Sequence, residues 1–155
     1  MKRTTCTMAG FLLMALALNA TAQNDRAVKI AAHFETLAGS QDNALALVEA
    51  LHHGVAVKLV ASAATERALP AVTTIDPPSG QMEWADVERA LAMAQAALHR
   101  ANIRRPTSDQ LEATLIGGVI TNAQGQSLIM AGILPLHAAG VPWNQVARLA
   151  VPRPQ

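Results

Sequence analysis

Glu49 and His52 stand three residues apart in Glu49-Ala50-Leu51-His52. On a helix that spacing points a carboxylate and an imidazole the same way. Di-metal helical bundles use the Glu-x-x-His unit, but they need a copy from each of two helices. This chain has no second copy, so Glu49 is expected to pair with His53 on the surface instead. His33, His52, His53, His99 and His137 are the remaining candidate ligands. Imidazole alone can hold copper or zinc. Only His52 and His53 are close in sequence, and neighbouring helical positions diverge by about 100°. Separate histidines, partly buried or on the surface, are the expectation, with no metal.

Other chemistries fare no better. The sequence has no Gly-x-Ser-x-Gly elbow, no Ser-x-x-Lys and no His-Glu-x-x-His. Gly125-Gln126-Ser127 falls in an expected hairpin, where Ser127 faces solvent. Glu83, Asp86 and Glu88 cluster at the start of an expected helix. An acid–base role needs one such carboxylate desolvated, whereas the positive end of the helix dipole already accounts for acids there. Arg100, Arg104 and Arg105 close the same helix, where cations are favoured by the same dipole. No glycine run has the spacing that cradles phosphate. Catalytic residues and cofactor-binding residues are therefore both expected to be none.

The N-terminus carries an address. Lys2 and Arg3 precede an uncharged apolar run from Met8 to Leu18, and Ala20-Thr21-Ala22 supplies small residues at the two positions a signal peptidase reads. This pattern predicts a signal peptide over residues 1–22, cleaved before Gln23, and export to the periplasm or beyond. The run falls short of the ~20 apolar residues that span a bilayer, so no transmembrane segment is expected after cleavage. Losing Lys2 and Arg3 turns the net charge of +1 into −1. A near-neutral surface gives nucleic acid nothing to bind. Cys6 leaves with the leader, so the mature chain has no thiol for a disulfide, a nucleophile or a Cys-ligated metal. Of the aromatic residues only Phe34, Trp84 and Trp143 remain.

The elements that must position these groups follow from periodicity. A helix is expected over 25–37, with Val28, Ala31, Ala32 and Glu35 in phase and Phe34 and Leu37 extending the stripe. Ser40 caps a second helix, 41–53, ended by Gly54. Alternation predicts a strand over 55–60, and 72–75 is a shorter β-prone run, joined by a loose loop over 62–70. Pro77-Pro78-Ser79-Gly80 breaks the chain. The longest helix, 83–101, lines up Trp84, Val87, Leu91, Ala94 and Leu98, and Ile103 packs back after it. Thr107 and Gln110 form a capping box for a helix over 108–116. Val119–Thr121 and Ser127–Met130 flank a turn ending in Gly125. Short helices follow over 132–139 and 142–149, and residues 151–155 read as a frayed tail. The fold class is α+β and predominantly helical. It has five or six helices and one or two hairpins in one domain, 23–150.

Several of these pieces occur in a recognisable order. They run from Gly39-Ser40 with Asn43-Ala44, through Pro77-Pro78-Ser79-Gly80-Gln81-Met82 and Leu91-Ala92-Met93-Ala94-Gln95, to Pro106-Thr107 before Gly117-Gly118. Gly132-Ile133-Leu134 and Ala139-Gly140 then lead to Trp143-Asn144-Gln145-Val146-Ala147. The set resembles a family of small exported bacterial proteins of unassigned function. The resemblance implies export and a helix-rich fold and carries over no catalytic residue. Gly140-Val141-Pro142 and Pro135 depart from that family's pattern.

Leu136 to Val146 also has the outline of a DNA-binding helix-turn-helix. Its second helix offers one cation, Arg148, and an exported, charge-balanced protein does not meet DNA. A packed helical corner is the expectation. The functional expectation is a non-catalytic binding or protein-interaction module with an envelope protein or peptide as partner. Trp84 and Trp143 are its anchors, because tryptophan is enriched in interface hot spots. The alternative is a small hydrolase or metal-dependent enzyme assembled from dispersed His and Asp/Glu. The expected mass of the protein recovered from producing cells is that of a chain beginning at Gln23. A cytosolic product retaining Met1 to Ala22 would overturn the export reading.

Overall fold

The structure, a computed structural model, describes residues 25–61 and 71–155. The signal peptide expected over 1–22 and the loop expected over 62–70 lie outside the described residues. Helix α1 covers 25–33, followed by α2 (Glu35–Ala38) and α3 (Gln41–His53). Strands β1 (Val57–Val60) and β2 (Val72–Ile75) pair next. Then come α4 (Trp84–Arg100), α5 (Ser108–Ile116), the strands β3 (Gly118–Thr121) and β4 (Ser127–Met130), α6 (Ile133–Ala138), α7 (Trp143–Leu149) and β5 (Arg153–Pro154). The fold is α+β and mostly helical, with two small antiparallel sheets.

One hydrophobic cluster takes residues from Ala27 through Ala150. Helix α4 is its mast, packing against α3, α5 and α6. Val87, Ala90, Leu91, Ala94, Ala97 and Leu98 are all buried along it. Each fully buried leucine contributes about 1.5–3 kcal/mol. The small alanines between them let neighbouring helices come close.

The first helix differs from expectation in length and in phase. It breaks at Phe34, whose N–H is shared between the carbonyls of Ile30 and Ala31. Its buried face is Ala27, Ile30, Ala31, Phe34, Leu37 and Ala38, while Val28 is exposed. Ile30 and Phe34 are the bulkiest residues and set the face, which leaves Val28 about 100° off it. The split makes seven helices among the described residues, against five or six expected.

Helices α3, α4 and α6 end alike. Val55 N–H donates to the Ala50 carbonyl, Ile103 N–H to Leu98 and Val141 N–H to Leu136, each closing a loop around a left-handed residue. Those residues are Gly54, Asn102 and Gly140. This is the Schellman stop. It explains why the first strand begins at Val57 rather than Val55. Val55 is consumed by the turn and is 53% exposed. Thr107 and Gln110 form the expected capping box on α5. Pro135 is third in α6, inside the first turn, where its missing N–H is one of the helix's orphans. Gly132 has no such latitude. A Cβ there would lie 2.3 Å from the Ile116 carbonyl oxygen, so only glycine lets the entry to α6 cross the end of α5.

Register explains both sheets. Ala61 N–H donates to the Ala71 carbonyl, so the next pair, Val60 and Val72, is not hydrogen-bonded across the strands. The main-chain groups of Val60 therefore face outward, where Asn43 receives them. The Asn43 Oδ1 accepts from Val60 N–H (3.1 Å), and its Nδ2 donates to the Val60 carbonyl (2.9 Å) and to that of Ala38 (3.0 Å). In the second sheet the order is β3-β4-β5. Residues 151–155, expected to fray, instead supply β5. Gln155 N–H donates to the Ser127 carbonyl, which makes Leu128 and Pro154 a non-bonded pair. The missing N–H of Pro154 thus points to the free edge, the position where a strand tolerates proline.

Asn43→Ala improves helix propensity but strands the outward groups of Val60 and the Ala38 carbonyl. Urea unfolding is expected to show a loss of about 2–3 kcal/mol. A loss below about 0.5 kcal/mol would mean that the carboxamide does not join these elements.

Candidate functional site

The two tryptophans begin the chemistry, and the fold treats them differently. Trp84 opens α4 and is only 8% exposed. The imidazole of His52 stacks on it at 3.7 Å between centroids and 19° between planes. His52 is fixed in turn by the chain entering α4. Its Nδ1 lies 2.7 Å from the Met82 carbonyl oxygen, and Met82 N–H donates back to the His52 carbonyl. A carbonyl only accepts, so Nδ1 is the donor in this contact. Trp84 is therefore a core residue that clasps α3 to α4. Trp84, expected as a partner anchor, does not serve as one, because burial leaves too little surface to present.

Trp143 opens α7 and is half-buried. Its Nε1 donates to Asp86 Oδ1 at 2.8 Å across 57 residues of chain. Arg89 Nη1 donates to the same carboxylate oxygen at 2.9 Å. His137 stacks on the indole at 4.2 Å and 18°. The guanidinium carbon of Arg89 lies 5.6 Å from its centroid, within cation–π range. Each contact has a local cause. Asp86 and Arg89 are three apart on α4 and share a face. The Schellman turn at Gly140 folds α7 back so that His137 meets Trp143. The ion pair between Arg89 and Asp86 is exposed and worth at most about 1 kcal/mol. The indole hydrogen bond to a carboxylate is stronger, at about 1.5–3 kcal/mol.

The other candidate residues do not meet. Glu49 is exposed on α3 while His52 is buried, so the Glu-x-x-His unit does not converge. Among the described residues the only ion pair is Arg89–Asp86, so the expected Glu49–His53 pair is not formed. His33, His53 and His99 are exposed on α1, α3 and α4. Among the described residues no group of three His, Cys, Asp or Glu side chains could hold a metal ion. Glu83 and Glu88 are exposed, and Asp86 is the one acid of its cluster with tertiary partners. Ser127 is exposed and sits at the end of the hairpin. Leu136 to Val146 forms the packed corner, with Val146 buried.

The company that Trp143 keeps has little trace in the sequence, where Asp86 reads as one of the dipole acids and His137 as one of several scattered imidazoles. The three-residue step from Asp86 to Arg89 was a visible signal, and the reach from Asp86 to Trp143 was not. The resulting arrangement can recognise a surface by shape, stacking and charge. It holds no nucleophile beside a base. No helix among the described residues is long and apolar enough to cross a membrane. Comparison with family models, with curated proteins and with solved structures gives no match.

Acrylamide quenching separates the two indoles. Trp143→Phe is expected to remove most of the quenchable emission and to cost about 1.5–3 kcal/mol of stability through the lost carboxylate bond. Unchanged quenching in that variant would contradict the half-buried setting of Trp143.

Proposed function

We propose that this chain is an exported, non-catalytic interaction module whose contact surface is centred on Trp143. The observation that supports this reading is the fixed pose of a half-buried indole. Asp86 holds its nitrogen and His137 covers its ring, so its rotamer is set before any partner arrives. A rigid aromatic loses little conformational freedom on binding, which is why such side chains dominate interface energies. Asn144 and Gln145 are exposed beside it and offer amides for a polar rim. The partner class that suits this surface is an envelope protein or peptide with an apolar contact for the indole edge.

Photo-crosslinking tests the surface directly. A crosslinking residue at Asn144 in the full-length chain is expected to give one discrete adduct in producing cells. The same residue at Lys29 is expected to give none. Trp143→Ala should reduce the adduct roughly tenfold, as loss of a hot-spot tryptophan does. Adducts that form equally from both positions, or from neither, would overturn the proposal.

A further inference from the structure

A cavity on the N-terminal side of the fold shares no residue with the Trp143 cluster. It has a volume of about 580 Å³ and lies between α2 and the start of α5. That volume is in the range of small-molecule sites, roughly 300–1,000 Å³. Its walls carry one carboxylate, Glu35 on α2, and one guanidinium, Arg105 just before α5. Neither makes an ion pair among the described residues, where the only pair is Arg89–Asp86. Both charges are exposed and solvated, so the cleft offers a charge-assisted partner of each sign to a ligand bearing both charges.

The polar atoms around them sharpen the reading. Thr107 caps α5, and its hydroxyl and the Gln110 side chain satisfy each other's main-chain N–H. That leaves the Ser108 and Asp109 N–H groups without a main-chain or side-chain acceptor among the described residues, at the positive end of a nine-residue helix. Ser108 also lines the cavity and is only 8% exposed, and no side-chain hydrogen bond among the described residues uses its hydroxyl. Asp109 is turned away, accepting a hydrogen bond from Thr73. Ala38, Val60, Ala61 and Pro106 supply apolar lining between the charged walls.

We propose that this cleft binds a small zwitterion, an amino acid or a short peptide. Its carboxylate sits on Arg105, Ser108 and the α5 N-terminus, and its ammonium faces Glu35. A doubly charged anion is disfavoured because Glu35 shares the cavity. A simple cation is disfavoured by Arg105.

Calorimetric titration of the mature chain with L-alanine and L-alanyl-L-alanine tests this, with N-acetyl-alanine and alanine amide as single-charge probes. At least one zwitterion is expected to bind, and each single-charge probe to bind roughly tenfold more weakly or worse, since each lacks one charge-assisted contact. Glu35 and Arg105 are both exposed, so their substitution leaves the core intact. Arg105→Gln should abolish the preference for a free carboxylate, and Glu35→Gln the preference for a free amine. Amide shifts of Ser108 and Asp109 should move on titration. No binding of either zwitterion, binding that ignores both substitutions, or equal binding of the single-charge probes would overturn the proposal.

Discussion

The carboxamide of Asn43 is the constraint on which the N-terminal half rests. Two packing problems meet at this residue. The end of α2 leaves the Ala38 carbonyl without a helical partner, and the first sheet presents an open edge at Val60. One buried side chain answers both, pairing with Val60 as a neighbouring strand residue would. Its own main chain is fixed by the Ser40 cap, because Asn43 N–H donates to Ser40 Oγ. The cap therefore aims the amide, and the amide places the strand. An open strand edge invites association with other chains, and a side-chain amide occupying it closes that route.

A second theme is the pairing of each tryptophan with a histidine. His52 covers Trp84 where α3 meets α4, and His137 covers Trp143 where α6 meets α7. In both cases a flat ring on one helix lies on a flat ring at the start of another. Offset stacking adds about 0.5–1.5 kcal/mol beyond area burial. The pairs differ in depth. Met82 closes over the first and makes it core, whereas the second is tied to α4 through Asp86 and Arg89 and stays at the surface. Depth, rather than residue type, separates a structural tryptophan from one available to a partner.

Local signals in the sequence carried most of the fold. The helices over 41–53 and 108–116 and the strand over 72–75 appear with their expected bounds, because caps and glycine stops act within a few residues. The errors came where a distant contact decides. The phase of α1 follows from where Ile30 and Phe34 find the core, and the order of the tail follows from a vacant edge on β4. The tail that holds Pro154 read locally as frayed, yet register placed the missing N–H of Pro154 outward. The candidate site was half legible for the same reason. Trp143 could be named from its type, while Asp86 could be assigned to it only after α4 and α7 were brought side by side.

Cys6 is the only cysteine in the sequence, so no disulfide can form within the chain and burial and polar satisfaction must hold the fold, which bears on how a partner could be bound. A protein of this size is stable by only about 5–15 kcal/mol, so a surface that moved on binding would draw on a small reserve. Trp143 avoids that draw, because its hydrogen bond and its stack are already made in the free protein. The same contacts that fasten α7 to α4 hold the indole ready. On the proposed function, stability and recognition are served by one set of interactions, and the surface needs no rearrangement to be used.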